Sequence, residues 1–327
     1  MHSILFALAL AISVSSAALA QQYPTGAPEA QPSRSLSAAS YLDRGNGWFK
    51  KGEFERAIAD YSLAIVFNAG YADAYYNRGM AMAGKGDLEG AVSDFDKAVA
   101  LNPRLVEALI NRGAARQQLG DIDAAVADYD EAIRLNPRLV DAWSNRCGAR
   151  FNRGEIDAAL GDCEQAIKLN PRHAVAFNNR GVILAEKGDV DGSLVDLDRA
   201  IKIDPRRGYP YINRAKALLL KGDARRALND IDQAIKTDAG NAQAWLTRGV
   251  IRAMEQDYAR ALADFDQAIK LAPRLADAWH NRAVTLLRMN RLPEAEADFA
   301  RFHELGGRRK LEGERLWVEL KEQLKQK

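Results

Sequence analysis

Arginine and aspartate recur along the chain in two columns whose spacing allows ion pairing. A guanidinium and a carboxylate can form two parallel hydrogen bonds, and such a pair is strong when it is shielded from water. The arginines stand 34 residues apart, without interruption, at Arg44, Arg78, Arg112, Arg146, Arg180, Arg214, Arg248 and Arg282. An aspartate follows each of them 16 residues later, at Asp60, Asp94, Asp128, Asp162, Asp196, Asp230, Asp264 and Asp298.

Two uses of these columns are open from the sequence. The arginines could form a ladder that binds an anionic ligand, or they could pair with the aspartates inside the protein. We favour internal pairs because every copy carries both residues, including the copies at the ends, which a ligand would use least. Arg146 has two candidate partners, Asp162 in its own copy and Asp128 in the copy before. The structural pairs that we expect involve Arg78, Arg112, Arg146 and Arg180 with Asp94, Asp128, Asp162 and Asp196.

The chain has two cysteines, Cys147 and Cys163, and both lie in one 34-residue copy. Cys147 stands where most copies have Gly, and Cys163 stands where most have an aromatic residue. Cys147 is larger than the Gly of other copies, and Cys163 is smaller than their aromatic residue. Such a compensating exchange of side-chain size is expected if the two side chains touch. A disulfide and a pair of buried thiols both fit this exchange, and an exported protein permits the disulfide.

Other patterns of catalysis or ligand binding are missing from the sequence. His2, His173, His280 and His303 do not cluster, and no His/Cys spacing typical of a metal site occurs. No glycine-rich phosphate loop is present. The net charge of +2 is too small to predict binding to nucleic acid. The sequence therefore predicts a protein that is not an enzyme and that has no cofactor, no metal and no nucleic-acid partner.

The elements that position these side chains follow the same period. Each copy has two stretches of about 12 to 14 residues in which apolar residues recur at helical spacing. Gly-Asp or Gly-Glu separates them, as at 86–87, because Gly suits the end of one helix and Asp the start of the next. Asn-Pro, as at 136–137, ends the second helix. One helical hairpin cannot cover its own apolar face, so the hairpins are expected to stack.

The pattern resembles the tetratricopeptide repeat (TPR) family. The second copy shows the family motif well, with Tyr75, Gly79, Ala91, Phe95, Ala98 and Pro103. The resemblance covers about residues 38–309 and implies an all-α fold, a right-handed α-solenoid of about eight hairpins with a C-terminal capping helix at 310–327. In one respect the chain departs from the family, because Arg stands where the family usually has Leu. The predicted repeats are 38–71, 72–105, 106–139, 140–173, 174–207, 208–241, 242–275 and 276–309.

The resemblance also implies a binding surface. In superhelical TPR arrays a similar asparagine column lines the concave groove and holds the main chain of an extended peptide, to which an amide can both donate and accept. Tyr76 and Ile110 would add apolar contacts in the same groove. The alternative is that these asparagines are ordinary polar surface residues copied with the repeat. The column precedes the arginine in six copies, at Asn77, Asn111, Asn145, Asn179, Asn213 and Asn281.

The N-terminal segment differs from the rest of the chain. Residues 4–20 are apolar and small and end in Ala18-Leu19-Ala20, which is typical of a secretory signal peptide at 1–20, cleaved after Ala20. An uncleaved membrane anchor is the alternative, although about 17 such residues are short for a span. Residues 21–37 are rich in Pro, Ser, Ala and Gln and predict a disordered leader. We expect an exported protein, periplasmic or secreted, without stable membrane insertion once the signal is cleaved.

The sequence as a whole predicts a non-enzymatic scaffold that binds an extended peptide or a partner protein in the concave TPR groove, most simply in a bacterial cell envelope. Self-assembly into an oligomer of stacked arrays is an alternative of the same class. An enzyme or a binder of cell-wall glycan is the alternative from another class. The lack of a catalytic or lectin-like site outside the repeats argues against that second alternative.

Overall fold

The computed structural model describes residues 37–306 together with Val318 and Glu322. The predicted signal peptide, the leader up to residue 36 and all but two residues of the predicted capping helix lie outside the described residues. Residues 37–306 form sixteen α-helices and no strand. The helices are α1 Ala38–Lys50, α2 Phe54–Phe67, α3 Ala72–Lys85, α4 Leu88–Leu101, α5 Val106–Leu119, α6 Ile122–Leu135, α7 Val140–Asn152, α8 Ile156–Leu169, α9 Ala174–Glu186, α10 Val190–Ile203, α11 Gly208–Leu220, α12 Ala224–Thr237, α13 Ala242–Met254, α14 Tyr258–Leu271, α15 Ala276–Arg288 and α16 Leu292–Glu304.

Two helices lie in each 34-residue repeat, here termed its first and second helix. Gly120 ends α5 with a φ of 91°, a left-handed conformation that glycine adopts at little cost. The next residue, Asp121, caps α6 by accepting a hydrogen bond from the backbone N–H of Ala124. The Gly-Asp pair thus ends one helix and starts the next within a single tight turn.

An asparagine and a proline end several second helices. Asn136 leaves the helical conformation directly before Pro137, with a φ of −145° and a ψ of 97°. Its Oδ1 accepts a hydrogen bond from the backbone N–H of Arg138 at 3.0 Å, which stabilises the turn into α7. Proline disfavours helical geometry in the residue before it, so the second helix stops at the same place in each such repeat.

Close approach of the two helices in a hairpin depends on small residues. Ala125 and Ala132 of α6 are fully buried. A Cβ added at Gly113 would lie 2.8 Å from Cε1 of Tyr129 and 3.2 Å from the carbonyl oxygen of Ala125, nearer than side-chain atoms normally come. Glycine at this site lets the Tyr129 ring approach the backbone of α5 closely, and Gly79 does the same for Phe95.

The described residues divide into two bodies, an N-terminal body that ends at Asn179 and a C-terminal body that starts at Arg180. Within each body, first helices contact both their own second helix and the next first helix, as α3 contacts α5 and α11 contacts α13. These contacts and the sixteen helices confirm the predicted all-α repeat solenoid, whereas its handedness stays a prediction. In the part of the chain that the structure describes, no helix is both long and apolar enough to cross a membrane.

Candidate functional site

The arginine column pairs with the aspartate column inside each repeat. Arg146 donates from Nε and Nη2 to the two carboxylate oxygens of Asp162, at 2.8 and 2.6 Å. The Asp162 side chain is buried, so the pair is shielded from water. The same two-pronged arrangement joins Arg78 to Asp94, Arg112 to Asp128 and Arg180 to Asp196.

Most of these arginines also reach back to the preceding repeat. Arg146 donates from Nη1 to Oδ1 of Asp130 at 2.6 Å, and Asp130, not Asp128, is its partner in α6. The alternative pairing of Arg146 with Asp128 is therefore wrong, because the Asp128 carboxylate already binds Arg112 and Arg116. Equivalent contacts join Arg112 to Asp96, Arg214 to Asp198, Arg248 to Asp232 and Arg282 to Asp266.

A second arginine joins the network in some repeats. Arg116 donates to Asp128 at 2.9 Å, Arg150 to Asp162 at 3.0 Å, and Arg252 to Asp264 at 2.7 Å. Each lies one turn after the repeat's own arginine. These three repeats therefore surround one buried carboxylate with two guanidinium groups.

The pKa shifts of the network arise from burial and from pairing between groups of the chain itself. Burial raises the pKa of Asp128 above its usual value even though Arg112 and Arg116 both donate to it. In the second repeat, the hydrogen bond to Asp94 raises the pKa of Arg78. The guanidinium of Arg146 also lies over the Trp143 ring, 4.7 Å from its centroid. These arginines are thus bound by groups of the chain itself, an arrangement suited to holding repeats together.

The two cysteines form a disulfide between α7 and α8, with an S–S distance of 2.01 Å. Both residues are fully buried, at the level that Gly113 and Tyr129 occupy in the preceding repeat. Of the two states that the sequence left open, the structure contains the disulfide. It joins the two helices of the fourth repeat covalently.

The asparagine column lies in a closed seam between first helices. Asn77 donates to Oδ1 of Asn46 at 3.0 Å, Asn111 to the Tyr76 hydroxyl at 3.0 Å, and Asn179 to the backbone carbonyl of Ser144 at 3.2 Å. Each of these bonds ends on the first helix of the preceding repeat. Five of the six are between 1% and 6% exposed, namely Asn77, Asn111, Asn145, Asn179 and Asn213.

This burial corrects the expectation that the column lines an open groove. Adjacent first helices pack closely enough to cover the amides, and the hydrogen bonds of Asn77, Asn111 and Asn179 end on another asparagine, a tyrosine hydroxyl and the backbone, respectively. Tyr76 and Ile110 are also buried and belong to apolar clusters of the core. Asn281 alone is partly open, and it donates to the backbone carbonyl of Asp277 at 2.7 Å.

An exposed apolar surface lies elsewhere, on the first hairpin. We define the apolar patch as Tyr41 of α1 with Leu63, Val66 and Phe67 of α2. The rings of Tyr41 and Phe67 stack with their centroids 5.4 Å apart. Val66 is 77% exposed and Phe67 59%, and apolar side chains grouped together at the surface are candidates for an interaction site.

Comparison between repeats could have found the patch from the sequence. Thirty-four residues after Leu63 stands Lys97, and the next copy has Glu131. After Val66 the same position holds Ala100 and then Arg134. The first repeat thus carries apolar residues at two positions that later repeats mostly fill with polar residues, whereas the position of Phe67 stays apolar in most of them, as at Leu101.

One lysine of the C-terminal body is also buried. Lys216 of α11 is 5% exposed, and burial lowers its pKa to about 8, with the charge of Asp277 opposing the shift. Within the described residues no cluster of His, Cys, Asp and Glu could hold a metal ion.

Comparisons with known proteins agree with this architecture. Sequence profiles described as "Tetratricopeptide repeat" match residues 72–105, 106–139, 149–208, 212–275 and 265–297, and a "TPR repeat" profile matches 45–86. A tetratricopeptide repeat protein from Parabacteroides merdae is similar in structure, with a TM-score of 0.66, 20% identity, and coverage of 76% of this chain and 98% of that one. A chain of the APC/C hetero-tetramer Cut9–Hcn1 gives a TM-score of 0.68 at 14% identity, covering 87% and 56%. At these identities the likeness shows the fold alone, and no curated protein matches the chain.

Proposed function

Because the chain is a tetratricopeptide repeat protein, and such repeats commonly serve as protein-interaction scaffolds, we propose that it is a non-enzymatic scaffold that binds a partner protein or peptide through the apolar patch of its first hairpin. The observation that carries this proposal is the exposure of Val66 and Phe67 beside the stacked Tyr41 ring. Contiguous apolar surface on a soluble protein is characteristic of an interaction site. Aromatic residues are also enriched where proteins bind one another.

The patch fits this role better than the asparagine seam does. The seam is covered by its own neighbouring helices, so a peptide would first have to separate them. The patch needs no such rearrangement, since its side chains already face solvent. Two of its positions, those of Leu63 and Val66, are mostly polar or charged in later repeats, for example Lys97 and Arg134, so the first repeat is more apolar at these two positions than the others.

We place the protein in the cell envelope or outside the cell. The segment that ends at Ala18-Leu19-Ala20 supports export, because it has the pattern of a cleaved secretory signal. The Cys147–Cys163 disulfide supports the same location, since such bonds persist mainly in oxidising compartments. Mass measurement of the purified protein tests this placement, and a chain that still begins at residue 1 would contradict it.

Affinity purification after chemical crosslinking in cells that make the protein tests the function. We would compare the wild type with Phe67→Ser and with Leu101→Ser. Leu101 occupies the position of Phe67 in the second repeat and is 44% exposed, which makes it the matched control. We expect a partner that the wild type and Leu101→Ser retain and that Phe67→Ser loses, while all three proteins melt alike. Recovery of the same partners with Phe67→Ser would contradict the proposal.

A further inference from the structure

The first helix of the first repeat has a face that no other described helix covers and that later repeats use for stacking. In α7, Trp143 and Arg146 lie on this face, and Arg146 donates to Asp130 of the preceding second helix at 2.6 Å. The same positions in α1 hold Tyr41 and Arg44, and the Arg44 guanidinium lies over the Tyr41 ring as Arg146 lies over Trp143. No described helix precedes α1 to cover this face.

Arg44 forms the ion pair within its own repeat, but it lacks the contact to a preceding repeat that Arg146 makes with Asp130. Its Nε and Nη2 donate to Asp60 of the same repeat at 2.7 and 2.6 Å. Nη1, which in Arg146 binds the preceding repeat, has no acceptor among residues 37–306. The Arg44 side chain is accordingly 49% exposed, against 11% for that of Arg146.

The apolar patch adjoins this arginine. Tyr41 contacts Arg44 through its ring and stacks on Phe67, which continues the surface onto α2. Together the patch and Arg44 form what we term the N-terminal face. The face offers an apolar area with one guanidinium N–H at its edge. Its part on α1 corresponds to what a second helix meets when it packs against the next first helix, as α6 packs against α7, and Leu63, Val66 and Phe67 of α2 extend the apolar area beyond that contact.

We propose that the N-terminal face binds an amphipathic helix of a partner protein, one that carries an aspartate or glutamate beside its apolar stripe. That helix would take the place that α6 takes against α7, with its carboxylate accepting from Nη1 of Arg44. The proposal rests on the proposed scaffold function, since it names the class of partner for the same patch. Its distinctive element is the carboxylate, because a purely apolar contact would not involve Arg44.

The chain's own sequence does not predict a helix for this place. A second helix in the same register before α1 would span residues 20–33, and that segment contains Pro24, Pro28 and Pro32. Proline inside a helix removes a hydrogen bond and clashes with the preceding turn. The residues therefore favour an occupant from another molecule.

A second copy of the chain would not place a carboxylate against Arg44. If copies stacked end to end, α16 would cover α1, and the residue of α16 that corresponds to Asp130 is Ala300. If two N-terminal faces met, Arg44 would lie near its own counterpart, and like charges repel. A different protein with a carboxylate at the matching position is the occupant that satisfies Arg44.

A helical peptide taken from the chain itself supplies the probe. Residues 121–136 include α6, which covers this face in a later repeat, and a hydrocarbon staple on the solvent side would hold the peptide helical, since so short a helix is marginal in water. The control peptide carries Asp130→Asn. Fluorescence anisotropy with the full mature protein would give both affinities. We expect the Asp130→Asn peptide to bind about tenfold more weakly, the loss typical of a charge-assisted hydrogen bond.

Variants of the protein complete the test. Phe67→Ser and Val66→Ser should each weaken binding of the acidic peptide, whereas Leu101→Ser should bind as the wild type does. Equal affinity for the two peptides, or no binding below about 1 mM, would overturn the proposal. If Phe67→Ser also lost its partners in cells while the peptides bound equally, the scaffold function would stand and the acidic helix alone would fail. Self-association of the wild type that Phe67→Ser abolishes would identify a second copy as the occupant and overturn the proposal.

Discussion

Nη1 of Arg146 in α7 lies 2.6 Å from Oδ1 of Asp130 in α6, across the junction between two repeats. The same guanidinium holds Asp162 of its own hairpin at 2.6 Å. One arginine therefore fixes the two helices of a repeat and also fixes that repeat against the one before it. The family usually has a leucine at this position, so the chain replaces an apolar contact with a charged network at most of the described junctions.

Loss of one arginine should destabilise the array. Arg146→Leu removes the two-pronged partner of the buried Asp162 and leaves this carboxylate only the single hydrogen bond from Arg150. Removing one partner of a buried ion pair typically costs about 3–5 kcal/mol. Chemical denaturation followed by circular dichroism should show a lower midpoint for this variant. Arg138→Leu, at an exposed turn, is the control and should unfold as the wild type does. Equal midpoints for the two variants would show that the ion pairs contribute nothing to stability.

The buried lysine should make stability depend on pH in the alkaline range. Burial lowers the pKa of Lys216 to about 8, below the value of an unfolded chain, so the unfolded state binds more protons between the two values. Stability should therefore rise from about pH 8 to pH 10.5, by roughly 3 kcal/mol, and fall as pH drops back through 8. Thermal melts of Lys216→Met should lack this rise, whereas melts of the exposed Lys236→Met should retain it. A rise of the same size in both variants would assign it to other groups.

Removal of the disulfide should destabilise the fourth repeat. A bond that closes a loop of this length contributes about 3 kcal/mol in the chain-entropy account. Cys147→Ser with Cys163→Ser should melt at a lower temperature than the oxidised wild type, and a reducing agent should lower only the wild-type value. Cys147→Gly with Cys163→Tyr restores the pair found at Gly113 and Tyr129, and it should recover part of the loss. Identical melts for all three proteins would contradict a stabilising role.

Two glycines inside helices should respond to alanine in opposite directions. A Cβ at Gly113 would lie 2.8 Å from the Tyr129 ring, so Gly113→Ala should cost about 1–3 kcal/mol through overpacking. Gly161 of α8 has no atom within 4 Å of that position, so Gly161→Ala should stabilise by up to about 1 kcal/mol through helix propensity. Denaturant midpoints of the two variants measure both effects, and a shift of the same sign in both would contradict this packing.

The repeat period was sufficient to predict the fold, because turn chemistry and helical spacing recur together. Gly120 and Asp121 mark a hairpin turn by themselves, and Asn136-Pro137 marks the end of a helix. For the partner of Arg146 in the preceding repeat, the sequence offers Asp128, whereas the structure has Asp130. The signal was present, since α6 carries Asp128 and Asp130 two residues apart, but only the packing of one repeat on the next shows which arginine each one meets.

The candidate binding site was harder to predict. The asparagines that precede six of the eight arginines could line a groove or fill a seam, and the spacing between adjacent first helices decides between these two places. That spacing depends on tertiary packing, for example on how closely Asn111 approaches Tyr76, and a one-dimensional pattern does not contain it. The sequence contains a signal for the apolar patch, because the position of Val66 is polar in most later repeats. That difference indicates a binding surface only when the structure shows that the Val66 side chain is exposed.

Site-specific photocrosslinking from position 67 tests the central claim most directly, namely that the first hairpin is a protein-binding surface. A photoreactive phenylalanine analogue would replace Phe67 in one strain and Leu101 in another. Living cells of both strains, producing the protein, would then be irradiated. The account predicts a discrete covalent adduct from position 67 and none from position 101. The same adducts from both positions, or none from position 67, would contradict it.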